Sequence, residues 1–304
     1  MQFADYVGSR ALHMTSDCLR LLSSSALEDG VLTPGAASNL LGTVGRLESL
    51  WQLRQWSVGK ADYRRAMARL REAEHRLEPA ANWFDAVASQ MLAKTDDAKT
   101  RRAVERARRA FARSIVGSEM VDSLLLSRLF QEESAVWRAQ ASDRGARDAD
   151  LVDYGIGRAF DKSRRAVARL AENPGSTKRL RRAQRWVRHL AHHLELLQPA
   201  LSEANEARAW FIGRLDANLT RRLDLARFME VAEALPLKRK QLKRIRRVGQ
   251  RLERRLIEQS GKLVHGAYRG GRGKALRALA QDVESLGPDE IVLLPLAGRA
   301  GASN

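Results

Sequence analysis

The sequence predicts an all-α protein, and three observations predict it. Ala, Leu and Arg dominate the composition, and all three sustain helices. Gly (21) and Pro (7) are few in 304 residues, so breaks between elements are few. Apolar residues recur at three- and four-residue steps, and no long stretch alternates apolar with polar as a half-buried strand would.

The elements follow in order. A first helix runs from about Phe3 to Leu27, and a Gly/Pro break at Gly30 to Gly35 ends it. A second runs from Ala36 to Trp56 and breaks at Gly59. A long third helix spans Asp62 to Leu92, with a kink expected at Pro79, whose ring removes an N–H and crowds the preceding turn. Asp96 and Asp97 offer caps for a fourth, through Arg113. Gly117 to about Asp150 holds one more helix and a polar, charged connector. Helices are then expected at Val152–Glu172, Ser176–Leu197, Ser202–Ala234, Leu237–Gly261 and Gly273–Leu286. Asn173-Pro174-Gly175, Pro199 and Pro236 punctuate them.

The second series restates the first. Tyr6, Arg10, Ala11 and Leu12 are matched by Tyr154, Arg158, Ala159 and Phe160. RRAVERARRA (Arg101 to Ala110) is matched by RKQLKRIRRV (Arg239 to Val248), and every basic position of the first is basic in the second. An internal duplication of a four-helix unit is the economical explanation. It divides the chain into a first repeat (1–116), a connector (117–150), a second repeat (151–286) and a tail (287–304). Ile291 to Ala297, interrupted by Pro295, reads as a packed or frayed end. Two antiparallel bundles side by side leave a seam or groove for a ligand.

Net charge is +18, from 54 Lys+Arg against 36 Asp+Glu. Such an excess repels itself in the compact state unless a polyanion neutralises it. Nucleic acid, polyphosphate, acidic membrane and acidic protein are the candidate partners, set against a generic basic surface. Arginine outnumbers lysine 44 to 10. A planar guanidinium grips phosphate oxygens with two bonds where an ammonium offers a point charge.

The segment STKRLRRAQRWVRHLAHHLELL carries the densest signal. Leu180, Ala183, Val187, Leu190, Leu194 and Leu197 form a buried seam. Beside it, Arg181, Arg185, Arg188 and His192 fall at i, i+4, i+7 and i+11, a column of about one cation per turn. In Leu237–Gly261, Leu242, Ile245, Val248, Leu252 and Leu256 face the core, while Arg239, Lys243, Arg246, Arg247 and Arg254 supply charge. Arg158, Lys162, Arg165 and Arg169 do the same on Val152–Glu172, the first helix of this half.

Other constellations read as structural. His189 and His193 share a helix face at i and i+4 but lack a second cluster of ligands, so no metal is expected. Asp216 and Asp224 read as caps or arginine partners. Gly270-Gly271-Arg272-Gly273 is a basic turn, not a phosphate loop after a strand. Trp51, Trp56, Trp83, Trp137, Trp186 and Trp210 lie in predicted helices and read as core. Cys18 stands alone, so no internal disulfide forms and a reducing compartment fits. The N-terminus lacks a charged-then-apolar signal pattern, and no apolar run reaches the ~20 residues a bilayer requires. The expectation is a cytoplasmic, non-catalytic protein with no cofactor and no membrane partner.

These residues resemble the CHAD domain (conserved histidine α-helical domain) over roughly Phe3 to Leu286. Tyr154 to Val167 is similar to the family's Tyr-x-x-x-Arg-Arg element. LRRAQRWVRHLAHHLELL (Leu180 to Leu197) is similar to its His-x-x-Arg-Lys-x-x-Lys-x-x-x-Tyr-x-x-Glu-Leu-Leu element. LTRRLDLARF (Leu219 to Phe228) is similar to Leu-Gly-x-x-His-Asp-Leu and keeps Leu219, Asp224 and Leu225. DYRRAMARLREAEHRLEPAANWFDAV (Asp62 to Val87) resembles the corresponding first-repeat helix. The positions of the family's histidines hold Arg181, Leu223 and, near Ser38, no histidine; the next signature arginine is Gln184.

The resemblance implies two tandem four-helix repeats enclosing a basic channel for inorganic polyphosphate, and an association with polyphosphate granules. ASNLLGTVGRLESLWQLRQW retains only Arg46 and Arg54, so the second repeat would supply most of the charge. The implied set is Arg10, Arg101, Arg108 and Arg109 from the first repeat. From the second it is Arg158, Lys162, Arg165, Arg181, Arg185, Arg188, His192, Arg239, Lys243 and Arg246. Two alternatives stay open: a nucleic-acid-binding helical protein, although no helix-turn-helix, zinc or RNA-binding signature is present, and a degenerate scaffold that docks an acidic protein.

Overall fold

The computed structural model describes residues 3–23, 27–28, 31–115, 122–141 and 147–286. The tail 287–304, with Ile291 to Ala297, lies outside them. The helices are α1 (Phe3–Ser23), α2 (Pro34–Arg54), α3 (Lys60–Leu77), α4 (Trp83–Ala93), α5 (Ala98–Ile115) and α6 (Ser123–Ala141). After them come α7 (Asp148–Asp150), a π-helical turn (Leu151–Ile156), α8 (Gly157–Glu172) and α9 (Thr177–Leu196). The series ends with α10 (Glu203–Ala234), α11 (Arg239–Ala267) and α12 (Gly271–Glu284). A two-residue antiparallel ladder, β1 (Leu27–Glu28) on β2 (Val31–Leu32), joins α1 to α2. The fold is otherwise all-α among the described residues.

The helix starts are written in the sequence. Thr33 accepts the Ala36 N–H at 3.2 Å and Pro34 opens α2. Asp97 accepts Lys99 N–H at 3.2 Å and Thr100 N–H at 3.1 Å, capping α5. Ser176 accepts the Arg179 N–H and starts α9. Each satisfies a donor that the first helical turn leaves free. The expected single helix Asp62–Leu92 is two. Pro79 sits in a 3-10 turn (Glu78–Ala80), Ala81 is extended, and α4 restarts at Trp83. The proline ends the helix where a kink was expected. Pro199 occupies a matching 3-10 turn (Gln198–Ala200) between α9 and α10.

Two apolar cores hold the elements. The larger takes side chains from α1, α2, α3, α6, α8, α9, α12 and the first half of α10. The smaller is built on Phe84, Val104, Phe228, Ile245 and their neighbours, from α4, α5, the rest of α10 and the start of α11. Each core draws on residues from both 1–116 and 151–286, so the packing does not follow the repeat boundaries. At 1.5 Å per residue α10 is roughly 48 Å long and enters both cores. Helix α6, from the connector, lays Leu126, Phe130 and Trp137 into the larger core against α1.

Within that core Glu133 is fully buried. Its carboxylate accepts the indole N–H groups of Trp51 and of Trp137, the latter at 2.9 Å, and a two-pronged bond from Arg69 at 2.8 and 3.2 Å. The sequence reading assigned Glu133 no role.

The π-helical turn rests directly on α2. A Cβ on Gly155 would lie 2.5 Å from Leu53 Cδ1 and 2.6 Å from the Leu53 carbonyl oxygen. Backbone cannot yield as a side-chain tip can. Gly155→Ala is expected to cost roughly 1–3 kcal/mol, as overpacking does. Gly8→Ala, where a Cβ would meet no described atom within 4 Å beyond its own stretch of helix, is expected to gain about 0.5–1 kcal/mol. Urea denaturation of the two variants checks both signs.

Candidate functional site

Helix α2 crosses α9, and the contact is made by histidines. Ser49 Oγ donates to the Gly45 carbonyl at 2.8 Å and lies 2.9 Å from Nδ1 of both His189 and His192. With its one proton committed, Ser49 accepts from both rings, so each carries its proton on Nδ1. His192 Nδ1 also lies 3.2 Å from the Gly45 carbonyl, and His193 Nε2 donates to Ser49 O at 2.8 Å. Burial pushes His189 down to about 3 and His193 to about 4. Burial and then Arg188 push His192 well below its usual value. All three are neutral at pH 7. His192 therefore does not extend the cation column: burial, reinforced by the Arg188 that it was expected to join, keeps the proton off it.

The arginines of the column are placed differently. Arg185 is exposed and Arg188 half-buried, and both approach Glu48 of α2 together with Arg71 of α3. Arg158 of α8 lies 5.9 Å from the Trp186 ring and faces Tyr63 of α3, which also feels Arg71 and Arg185. Farther along, Asp224 of α10 lies among Arg188, Arg227 and Glu78. Cations from α3, α8, α9 and α10 thus border one seam over α2. Among the described residues, Arg71, Arg158, Arg185 and Arg188 make no ion pair with a carboxylate.

The acidic groups in this seam are weak counter-charges. Burial, helped by Glu74, raises Glu48 to about 7 against the pull of Arg188, Arg71 and Arg185. Burial raises Asp224 to about 6 against Arg188 and Arg227. Desolvation outweighs several nearby guanidiniums at both positions.

The other expected residues lie elsewhere. Lys162 is half-buried and Arg181 exposed, each on the helix that carries the arginines above. Arg165 turns back on its own helix, onto the Asp161 carbonyl at 3.2 Å and its carboxylate at 3.9 Å. Arg10 lies beside Tyr6 on α1, with its Nε buried. Six ride on α5 and α11, over the smaller core. Of these, Arg101 donates to the carbonyls of Leu92 and Thr95, closing the end of α4. Arg108 forks onto Asp85, Arg109 bonds the Glu105 carbonyl, and Arg246 pairs with Glu233 at 2.8 Å. Arg239 and Lys243 are exposed at the start of α11. Helices α5 and α11, which carry the matching basic patterns, pack on each other, and Arg101, Arg108 and Arg246 tie them to α4 and α10.

Sequence reasoning missed Arg71, Glu48 and Tyr63. Arg71 was visible as a cation on the Asp62–Val87 segment, but nothing in the spacing said which helix it would face. The tryptophans divide: Trp51 and Trp137 are fully buried, their ring centroids 4.6 Å apart and their planes tilted by 44°, whereas Trp56 and Trp210 are 36% and 57% exposed. Those two correct the expectation that all six are core. Cys18 is buried, with its thiol pushed up to about 12. No helix among the described residues is long and apolar enough to cross a membrane.

The chain matches no protein-family model, no curated protein and no solved structure.

Proposed function

We propose that this chain binds inorganic polyphosphate, or a similar linear phosphate polyanion, without catalysing a reaction. The supporting observation is the seam over α2, where Arg71, Arg158, Arg185 and Arg188 gather from three helices around the half-neutral Glu48, with no ion pair to a carboxylate among the described residues. Guanidiniums so arranged repel one another, and a row of phosphates would relieve each in turn through forked, charge-assisted bonds. On this reading the chain is a pair of CHAD-like four-helix repeats, the seam is their groove, and association with polyphosphate granules follows.

Binding of labelled polyphosphate in a gel-retardation assay tests the reading. Retention should fall linearly on a log–log plot against salt as counterions are released. No retention at 50 mM salt sinks it. Displacement by duplex DNA at concentrations where unlabelled polyphosphate fails moves the site to nucleic acid.

The pH dependence has a definite sign. Glu48 and Asp224 carry raised pKa values, so each is neutral below its value and charged above it. Lowering pH from 8 to about 5.5 removes negative charge from the seam, and polyphosphate should bind several-fold more tightly. Glu48→Gln should bind more tightly at pH 8 and flatten the upper part of the profile. A wild-type profile flat over that range contradicts the assignment. The stability linkage runs the same way. Folding favours neutral Glu48, so its contribution is greatest below the ordinary Glu value and is lost as pH rises through about 7.

A further inference from the structure

A cavity of about 260 Å³ opens where the end of α2, the π-helical turn and the start of α12 meet. Its wall carries Gln52, Trp56, Tyr154, Arg158, Arg165 and Arg272. Three features of this wall ask for a ligand. Trp56 and Tyr154 are 36% and 60% exposed, with ring centroids 5.8 Å apart and planes tilted by 42°. They offer bare aromatic faces at the mouth. Gln52 is 2% exposed, and among the described residues neither its amide nitrogen nor its amide oxygen has a hydrogen-bond partner. A buried amide with both ends unmet keeps its full desolvation penalty until something supplies an acceptor beside a donor. The third feature is cationic. Arg272 is held in place by the Asp153 carbonyl at 3.1 Å and by the Asp161 carboxylate at 3.4 Å. Gly157 makes room for it: a Cβ there would lie 2.8 Å from the guanidinium.

We propose that this pocket binds a nucleoside phosphate. The planar base lies against Trp56 and Tyr154, its edge bonds the Gln52 amide, and its phosphates reach Arg158, Arg165 and Arg272. A bare phosphate chain uses neither the ring faces nor the amide. An apolar ligand leaves the amide unmet. Adenine presents an N–H donor next to a ring-nitrogen acceptor, the pairing that a glutamine amide meets with two bonds. Aromatic faces add stacking that tolerates any base. The cavity lies just below the roughly 300–1,000 Å³ of a drug-sized site, room for a base while sugar and phosphates stay at the mouth.

The pocket shares Arg158 with the polyphosphate seam, but the inference rests on Gln52, Trp56 and Tyr154, which that reading does not use, and Arg185 and Arg188 do not line the pocket. Calorimetric titration of the full chain with ATP and, separately, with inorganic tripolyphosphate tests it. ATP is expected to bind at least tenfold more tightly than tripolyphosphate. Gln52→Leu and Trp56→Ala should each weaken ATP tenfold or more while leaving tripolyphosphate unchanged. Gln52→Leu should also raise the melting temperature, since it removes the unmet amide. Equal affinity for the two ligands, or ATP binding untouched by both substitutions, overturns the proposal and leaves the polyphosphate seam standing. ATP binding with the expected variants, in a chain that fails to retain long polyphosphate, supports this pocket and removes the other reading alone.

Discussion

Arg185→Glu combined with Arg188→Glu is expected to abolish polyphosphate retention, by about a hundredfold or more, while the far-ultraviolet circular dichroism stays that of the wild type. A hydrogen bond to a charged group is worth about 1.5–3 kcal/mol, and each 1.4 kcal/mol is a factor of ten. Losing two such bonds removes roughly two to four orders of magnitude before the reversed charge is counted. Helicity should survive because Arg185 is exposed and α9 is anchored from its other faces by Leu180, Val187, Leu190, Leu194 and the bonds of His189, His192 and His193 to α2. A comparison holds the charge argument to account. Arg108→Ala with Arg246→Ala removes two cations that are already engaged by Asp85 and Glu233. That pair should cost less than tenfold in binding. Equal losses in the two double variants would mean that the chain responds only to net charge. Full retention by the Arg185/Arg188 variant would place the phosphates away from the seam.

The largest stability effect is expected at Glu133→Ala. The carboxylate is fully buried and meets two indole N–H groups and a guanidinium. Its removal leaves the Arg69 side chain, itself only 17% exposed, without its counter-charge, and strands the donors of Trp51 and Trp137. Breaking a buried pair from one side costs about 3–5 kcal/mol, a large share of the 5–15 kcal/mol that holds a typical domain. The urea midpoint should fall accordingly with an unchanged slope. Glu133→Gln should cost less, because the amide oxygen still accepts one indole. A midpoint for Glu133→Ala within experimental error of the wild type would show that the cluster contributes nothing to folding.

Much of the fold was legible in particular residues. From Ser176 onward the expected helices lie within a few residues of the observed ones, except that α11 runs on to Ala267, because caps and prolines act over a few residues. Pro79 was seen but its effect was misjudged: a proline can bend a helix or end it, and the choice depends on what receives the chain afterwards. Here Phe84 and Val87 of α4 find their partners in the smaller core, beside α10 and α11, away from the core that α3 enters. The candidate seam was half legible. The spacing on α9 put Arg185 and Arg188 on one face. It could not show that His192, on the same face, would be dried out against Ser49, nor that Arg71 would come to meet them.

The sequence by itself determined the helical class, the places where helices begin, the excess of arginine and the alignment of Arg181, Arg185 and Arg188 along one helix. These are local matters, set by backbone propensity, capping and a 3.6-residue period. Only the tertiary structure decided which cations share a surface, because proximity between helices depends on packing across the cores. It also decided which charges are spent internally, as at Arg108, Arg246 and Arg69, and which groups lose their charge. Desolvation acts on a side chain through every element around it, and that surrounding exists only once α2, α3, α8, α9 and α10 have closed on one another.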